Sequence, residues 1–153
     1  MPYLSDVDID VAPKLPLTGV VYGRGLRPFV CAAVGRAESL VRAPSRRALK
    51  NVFFLVDTGS PVTFLSPACL VALGYTDVVP TEMLVNISGI PLCAGISRAH
   101  FTDVCVLGGD FFLAARAAVT VKYDSKMVVI ALEEAEDKPK DDATVVERAH
   151  LPG

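Results

Sequence analysis

Short apolar runs alternate with glycine- and proline-containing breaks along this chain, a pattern typical of β-strands joined by turns. The first three runs are LTGVVYG, RPFVCAAVG and NVFFLVD, which lie between Leu17 and Asp57. β-Branched and aromatic residues dominate them, and such residues favour extended backbone. We therefore predict three strands here. The polar, basic stretch at 36–50 predicts a long hairpin loop, with a short helical turn before Pro44.

The second half of the chain predicts more strands and two further hairpins. The segment MLVNISGIPL predicts a hairpin that turns at Ser88 and Gly89, and VTVKYDSKMVVIAL predicts one that turns at Asp124 and Ser125. The segment VTFLS predicts one more strand. The sequence therefore predicts a mostly β protein.

One segment carries the signals of a short helix. Ser66 stands at the cap, Pro67 at the first helical position, and Gly74 just past the end. This order of residues is the usual start and stop pattern of a helix.

The apolar pattern divides the chain into a body and two tails. Residues 1–14 carry three aspartates and two prolines, which predicts a flexible tail with a short strand that pairs elsewhere. Residues 133–153 carry seven acids, three bases and two prolines, which predicts an acidic, disordered tail. The body at 15–132 is large enough for one domain with its own core.

Composition narrows the possible partners. Apolar residues make up 52% and charged residues 21% of the chain, which indicates a globular protein. The net charge of −2 gives no general reason to expect nucleic acid or an anionic membrane as a partner. The five cations at 36–50 lack interleaved aromatic residues and indicate a solvated loop. No apolar run approaches the ~20 residues that span a bilayer, and we expect no secretory signal at the N-terminus.

The cysteines and histidines do not have the spacing of a metal site. Cys31, Cys69, Cys93 and Cys105 form no C-x-x-C pair and stand among apolar residues. We predict four buried free thiols, no metal or other cofactor, and a cytoplasmic or other reducing intracellular location. His100 has no nucleophile motif beside it and is predicted to be a surface or loop residue.

The segment FFLVDTGSPVTFLS places Asp57 directly after an apolar strand. A carboxylate there is costly unless it is paired or used. The glycine that follows lets the backbone turn and bring its N–H to the carboxylate, while the neighbouring hydroxyls offer hydrogen bonds. Two such carboxylates at about 3 Å share one proton and can activate a water molecule. A simple turn after a strand is the structural alternative.

Together with the later segment VLGGDFF, this motif resembles the retropepsin-like aspartic proteases. In that family D-T-G-[SA]-x-x-[TS] is followed by two apolar residues, and an apolar-apolar-Gly-x-Asp/Asn-apolar segment leads into a helix that supports the active site. The matching residues here are 57–65 and 106–112, and the resemblance covers about 17–132. It implies a mostly β acid-protease barrel with one or two short helices. Because the chain has one DTG, it also implies a symmetric homodimer.

The resemblance assigns a role to each residue of the motif. Asp57 would be the catalytic carboxylate, and Thr58 would bond to the backbone of the partner chain. Gly59 would line the cleft and meet the substrate main chain, and Ser60 would hydrogen-bond the outer carboxylate oxygen. Three further residues would support the active site: Thr63, Gly108 and Asp110.

Two departures from the family pattern affect the expected activity. Retroviral members usually pair an acid with an arginine at the positions that Pro61 and Gly109 occupy here. The segment available for a substrate-covering flap, residues 75–82, is short and contains no glycine. Because flaps exclude water and complete substrate contacts, we expect weak activity and a flap that is short or absent.

The leading hypothesis is therefore an aspartic endopeptidase that cleaves peptides or unfolded proteins as a homodimer. The alternative is a non-catalytic retropepsin-like module for dimerisation or peptide binding. The short flap favours the alternative, whereas the intact DTGS favours the enzyme.

Overall fold

The computed structural model describes residues 5–6, 14–37, 49–75 and 82–134. Within these ranges the chain forms ten strands and two α-helices, and it is mostly β as predicted. In chain order they are β1 Ser5–Asp6, β2 Leu17–Tyr22, β3 Arg27–Arg36, β4 Lys50–Val56, β5 Phe64–Leu65, α1 Pro67–Ala72, β6 Glu82–Ile87, β7 Ile90–Ile96, β8 Cys105–Leu107, α2 Gly109–Ala115, β9 Ala117–Lys122 and β10 Met127–Leu132.

Six strands close into a barrel. Going round it, β3 pairs with β4, β4 with β8, β8 with β5, β5 with β7, β7 with β6, and β6 with β3 again. The β4–β8 and β5–β7 pairs are parallel, and the other pairs are antiparallel. Strand β8 thus lies between β4 and β5, the two strands that flank the DTGS loop.

Strands outside the barrel extend its sheet on both sides. On the β3 side, β2, β10 and β9 follow in antiparallel order. On the other side, β1 pairs with β4 at Asn51 and Lys50, which agrees with the short strand expected in the N-terminal tail.

The core fills the barrel and the space beneath the two helices. On β4 the side chains of Val52, Phe54 and Val56 are buried, whereas Phe53 between them is exposed. The alternation at 52–54 follows from the two-residue period of a strand, whereas Leu55 is also buried, so both faces of the strand are covered at its end. The helices complete the core with Leu70, Phe111 and other apolar side chains that pack against the strands. The barrel therefore holds the end of β4, where the DTGS loop begins, on a rigid support.

The predictions of the helix at 66–74 and of the hairpin at Ser88 and Gly89 are confirmed. The Ser66 side chain caps α1 by accepting a hydrogen bond from the Cys69 N–H at 3.2 Å, and Gly74 takes a φ of 90° after its end. Ser88 and Gly89 form the turn between β6 and β7 with φ angles of 48° and 85°.

Two strand details differ from the prediction. The hairpin between β9 and β10 has a four-residue turn that covers 123–126 rather than two residues alone. The VTFLS strand is reduced to Phe64–Leu65, because Thr63 before it turns its hydroxyl and N–H to Asp110.

Several predictions fall outside the described residues. They concern the helical turn before Pro44, residues 38–48 of the basic loop, residues 76–81 of the flap segment, and the remainder of both tails. Neither helix in the described ranges is long and apolar enough to cross a membrane.

The prediction of four buried thiols is wrong for two of them. Cys69 and Cys105 are buried, but Cys31 is half-buried and Cys93 is exposed. Both exceptions lie in strands whose apolar residues do not all face the core: Cys93 sits between the buried Leu92 and Ala94 and therefore points outward. A run of apolar residues does not by itself say which face each one occupies.

Candidate active site

Asp57 lies at the end of β4, where the chain leaves the barrel. Its N–H donates to the Leu107 carbonyl at 3.0 Å, which continues the β4–β8 pairing. Its exposed carboxylate accepts the Gly59 N–H at 3.0 Å, and the Ser60 N–H donates to its backbone carbonyl at 3.2 Å. The loop thus turns tightly around a carboxylate that faces solvent.

The Ser60 hydroxyl does not play the role that the resemblance implies. It donates to the Val62 carbonyl at 2.7 Å, two residues further along the loop. A hydroxyl has one proton to donate, so Ser60 cannot donate to Asp57 in this arrangement. The expected hydrogen bond from Ser60 to the carboxylate is therefore wrong, and Gly59 supplies the hydrogen bond instead.

Thr63 and Asp110 anchor the far end of the loop. Asp110 accepts the Thr63 N–H at 3.1 Å, the Thr63 hydroxyl at 2.7 Å and the Phe111 N–H at 2.8 Å. The Thr63 hydroxyl oxygen in turn accepts the Gly108 N–H at 3.0 Å. Thr63 is fully buried, so each of these bonds replaces water that the site cannot admit. The network ties the loop to the start of α2.

Gly108 is a glycine because backbone passes over it. A Cβ atom there would lie 2.4 Å from the Val62 carbonyl oxygen and 2.8 Å from the Ser60 carbonyl oxygen. Both neighbours are backbone atoms of the loop that carries Asp57, so they cannot turn aside as a side chain would. This close contact sets the distance between the loop and the end of β8.

Backbone hydrogen bonds involve both Pro61 and Gly109, the positions where the family pattern is not kept, and each bonds to the residue beside the other. The Gly109 N–H donates to the Ser60 carbonyl at 2.7 Å, and the Asp110 N–H donates to the Pro61 carbonyl at 3.2 Å. Main-chain groups thus connect the loop to α2 where retroviral members usually have a charged pair.

A cavity of about 680 Å³ opens beside Asp57. Glycine shapes one wall, since a Cβ on Gly95 would lie 2.9 Å from the Phe64 ring, and the ring packs flat against β7. The lining is largely apolar, with charged groups among it; it includes Asp57, Phe64, Ile96, Arg98, Phe101 and Val106. A volume of this size suits several side chains of a peptide or a drug-sized molecule.

The structure brings the seven predicted site residues together and adds others. Thr58 and Gly59 are exposed at the tip of the loop, while Thr63, Gly108 and Asp110 lie beneath it. Sequence reasoning missed the residues that the β7 strand and the following turn contribute to the cavity, among them Cys93 and Arg98. The two-residue alternation of β7, which places Cys93 and Gly95 on one face, could have identified the strand's contribution. His100 lies exposed in the turn Ala99–Phe101, as predicted.

Comparison with models of protein families, with curated proteins and with solved structures found no match to this chain.

Proposed function

We propose that this protein is an aspartic endopeptidase of the retropepsin type, whose active site combines Asp57 from each of two identical chains. The observation that supports this most is the setting of Asp57. It is an exposed carboxylate at the edge of an apolar cavity, held by a loop that the barrel and α2 fix at both ends.

A second carboxylate is needed because one alone cannot act as both acid and base. With two Asp57 side chains about 3 Å apart, repulsion between like charges leaves one proton shared by the pair. The ionised member accepts a proton from water, and the water oxygen bonds to the peptide carbonyl carbon. The protonated member donates its proton to the carbonyl oxygen. When the carbon–nitrogen bond then breaks, the nitrogen takes up a proton, and a carboxylic acid and an amine are released.

The surrounding residues would hold this geometry during the reaction. The Gly59 N–H orients one oxygen of Asp57, and the other oxygen would face the water. The bonds among Thr63, Gly108 and Asp110 keep the loop from shifting when a substrate binds. Such fixed groups lower the barrier because they need no rearrangement in the transition state.

The cavity favours an extended polypeptide as substrate. Phe64, Ile96 and Val106 offer apolar surface to side chains near the cut. Gly59 is exposed at the loop tip, and because it has no side chain of its own, a substrate main chain can approach its backbone closely.

The test is cleavage of an unstructured polypeptide across a range of pH, with Asp57→Asn beside the native protein. Asparagine has nearly the same shape and keeps an oxygen for the Gly59 N–H, so this variant should fold normally and lose turnover. The matched control is Asp124→Asn, an exposed aspartate in the β9–β10 turn, which should retain full activity.

Two results would argue against the proposal. Equal cleavage by native protein and Asp57→Asn would place the activity elsewhere or in a contaminant. Saturable binding of the polypeptide without any cleavage would favour the alternative, a peptide-binding module.

A further inference from the structure

Two buried cysteine side chains meet beside Ser66, at the start of α1. Cys69 is 0% and Cys105 is 5% exposed. The Ser66 N–H donates to the Cys105 sulfur at 3.2 Å, and the Ser66 hydroxyl oxygen lies 3.5 Å from the same sulfur. The Cys69 N–H donates to that hydroxyl oxygen at 3.2 Å. One serine therefore holds a helix cysteine and a β8 cysteine together.

The two thiols differ in how readily they ionise. A hydrogen bond from the Cys69 thiol lowers the pKa of Cys105 to about 7, assisted by the Ser66 groups and opposed by burial. The pKa of Cys69 is raised by the same hydrogen bond, by burial and by the charge on Cys105. Cys105 is thus the sulfur that ionises first and the better nucleophile.

We infer that Cys69 and Cys105 form a reversible disulfide that links α1 to β8. Disulfide formation needs two sulfurs that can approach to about 2.05 Å. In the folded core Ser66 contacts both residues: its N–H and hydroxyl oxygen lie 3.2 and 3.5 Å from the Cys105 sulfur, and the same oxygen lies 3.2 Å from the Cys69 nitrogen. Cys31 and Cys93, which lie on β3 and β7, take no part in this interaction. The inference does not depend on the proposed protease activity.

Hydrogen peroxide, a small two-electron oxidant, can form this disulfide. The Cys105 thiolate attacks one peroxide oxygen, the oxygen–oxygen bond breaks, and a sulfenic acid and hydroxide form. The Cys69 sulfur then attacks the sulfenic sulfur, the sulfur–oxygen bond breaks, and its thiol proton leaves with the oxygen as water. Overall, two thiols lose two electrons and two protons, and one peroxide takes them up to become two waters.

The disulfide would act on the strand that supports the candidate site. β8 carries Leu107, whose carbonyl accepts the Asp57 N–H, and it leads directly into Gly108. A covalent link between this strand and α1 restricts the unfolded chain and so stabilises the folded one.

The test uses the full chain with Cys31→Ser and Cys93→Ser, so that the pair supplies its only thiols. After mild peroxide treatment, we expect an intact mass lower by two hydrogens, no thiol reactive in denaturant, and a single-chain band without reductant. Dithiothreitol should restore both thiols. A gain of oxygen atoms, a crosslink between chains, or two thiols that remain reactive would each overturn the inference.

A second measurement asks whether the disulfide belongs to the folded protein. Oxidation of the same variant should raise its melting temperature by about 5 °C or more, since a native crosslink of this length is worth several degrees in a domain of this size. A lower melting temperature would mean that the link forms only in misfolded chains, against the inference. The added substitution Cys105→Ala should abolish the loss of two hydrogens.

Discussion

At the scale of single residues, the loop that carries Asp57 is held in place by neighbouring residues more than by the Asp57 carboxylate. The carboxylate has one hydrogen bond from its own loop, whereas the loop is held by a buried threonine, an aspartate and a glycine. Substitutions of these supports test whether the loop geometry is built as described.

Gly108→Ala should be strongly destabilising. The new Cβ would overlap the Val62 and Ser60 carbonyls, which belong to backbone, so the loop must shift. We expect a loss of about 3 kcal/mol in the free energy of unfolding, measured by urea titration. Gly109→Ala is the matched control: its nearest contact would be 3.5 Å, and it should change stability by less than about 1 kcal/mol. Equal effects of the two would contradict the close approach at Gly108.

Thr63→Val should also destabilise the protein. It keeps the shape of the side chain but removes the hydroxyl that bonds Asp110 and Gly108 in a buried position. Because the Gly108 N–H loses its partner and the Asp110 carboxylate loses a donor, the expected cost is about 3 kcal/mol. Thr120→Val, on the exposed face of β9, should change stability by no more than about 0.5 kcal/mol. A neutral Thr63→Val would show that the network does not anchor the loop.

The thiol pair predicts a pH dependence of peroxide oxidation. The lowered pKa of Cys105, about 7, means that its thiolate is scarce below that pH and predominant above it. In the variant that lacks Cys31 and Cys93, the oxidation rate should rise between about pH 6 and 8 and then level off. Cys69 is the titratable group that interacts with Cys105 among the described residues. A rate that reaches half of its plateau only above about pH 8.5, as for a small-molecule thiol of ordinary pKa, would contradict this assignment.

At the scale of elements, local signals were sufficient for α1 and for the β6–β7 hairpin, whereas α2 was expected only from the family resemblance. The start and end of α1 are indicated by three residues, Ser66, Pro67 and Gly74. The two-residue turn is indicated by Ser88 and Gly89. Closure of the barrel could not be predicted from local sequence signals. It depends on pairing between segments far apart in the chain, such as β5 with β7 and β3 with β6, and no local pattern encodes those partners.

In the candidate site too, some features could be predicted from local sequence and others could not. The DTGS and LGGD motifs identify residues that the fold brings together, because each motif is short and contiguous. The direction of the Ser60 hydroxyl and the exposure of Cys93 were missed, since both depend on how a loop or strand is turned in three dimensions.

The β6–β7 turn offers a stability test of its own. Ser88 has a φ of 48°, which is unfavourable for a non-glycine residue, and within the described part of the chain its buried hydroxyl has no hydrogen-bond partner. Ser88→Gly removes both costs and should stabilise the protein by about 1 kcal/mol despite the greater freedom of the unfolded chain. Gly89→Ala, at a φ of 85°, should destabilise it by a similar amount. Thermal melts of both variants check the signs, and a loss of stability in Ser88→Gly would contradict the strain at this turn.

At the scale of the whole molecule, the proposed activity requires two chains. The sequence holds one DTG, and the described chain presents one Asp57 at its cavity, so the acid–base pair is incomplete in a single copy. Sedimentation at micromolar concentration should accordingly show a species of twice the chain mass.

The most direct test mixes native chains with Asp57→Asn chains at constant total concentration, with time for subunits to exchange. If each active site needs one carboxylate from each chain, random pairing makes cleavage follow the square of the native fraction. An equal mixture should therefore retain about a quarter of the native rate, whereas an equal mixture with Asp124→Asn should retain all of it. Half the native rate would mean that each chain works alone, and no cleavage above the Asp57→Asn background would mean that the chain is not this enzyme.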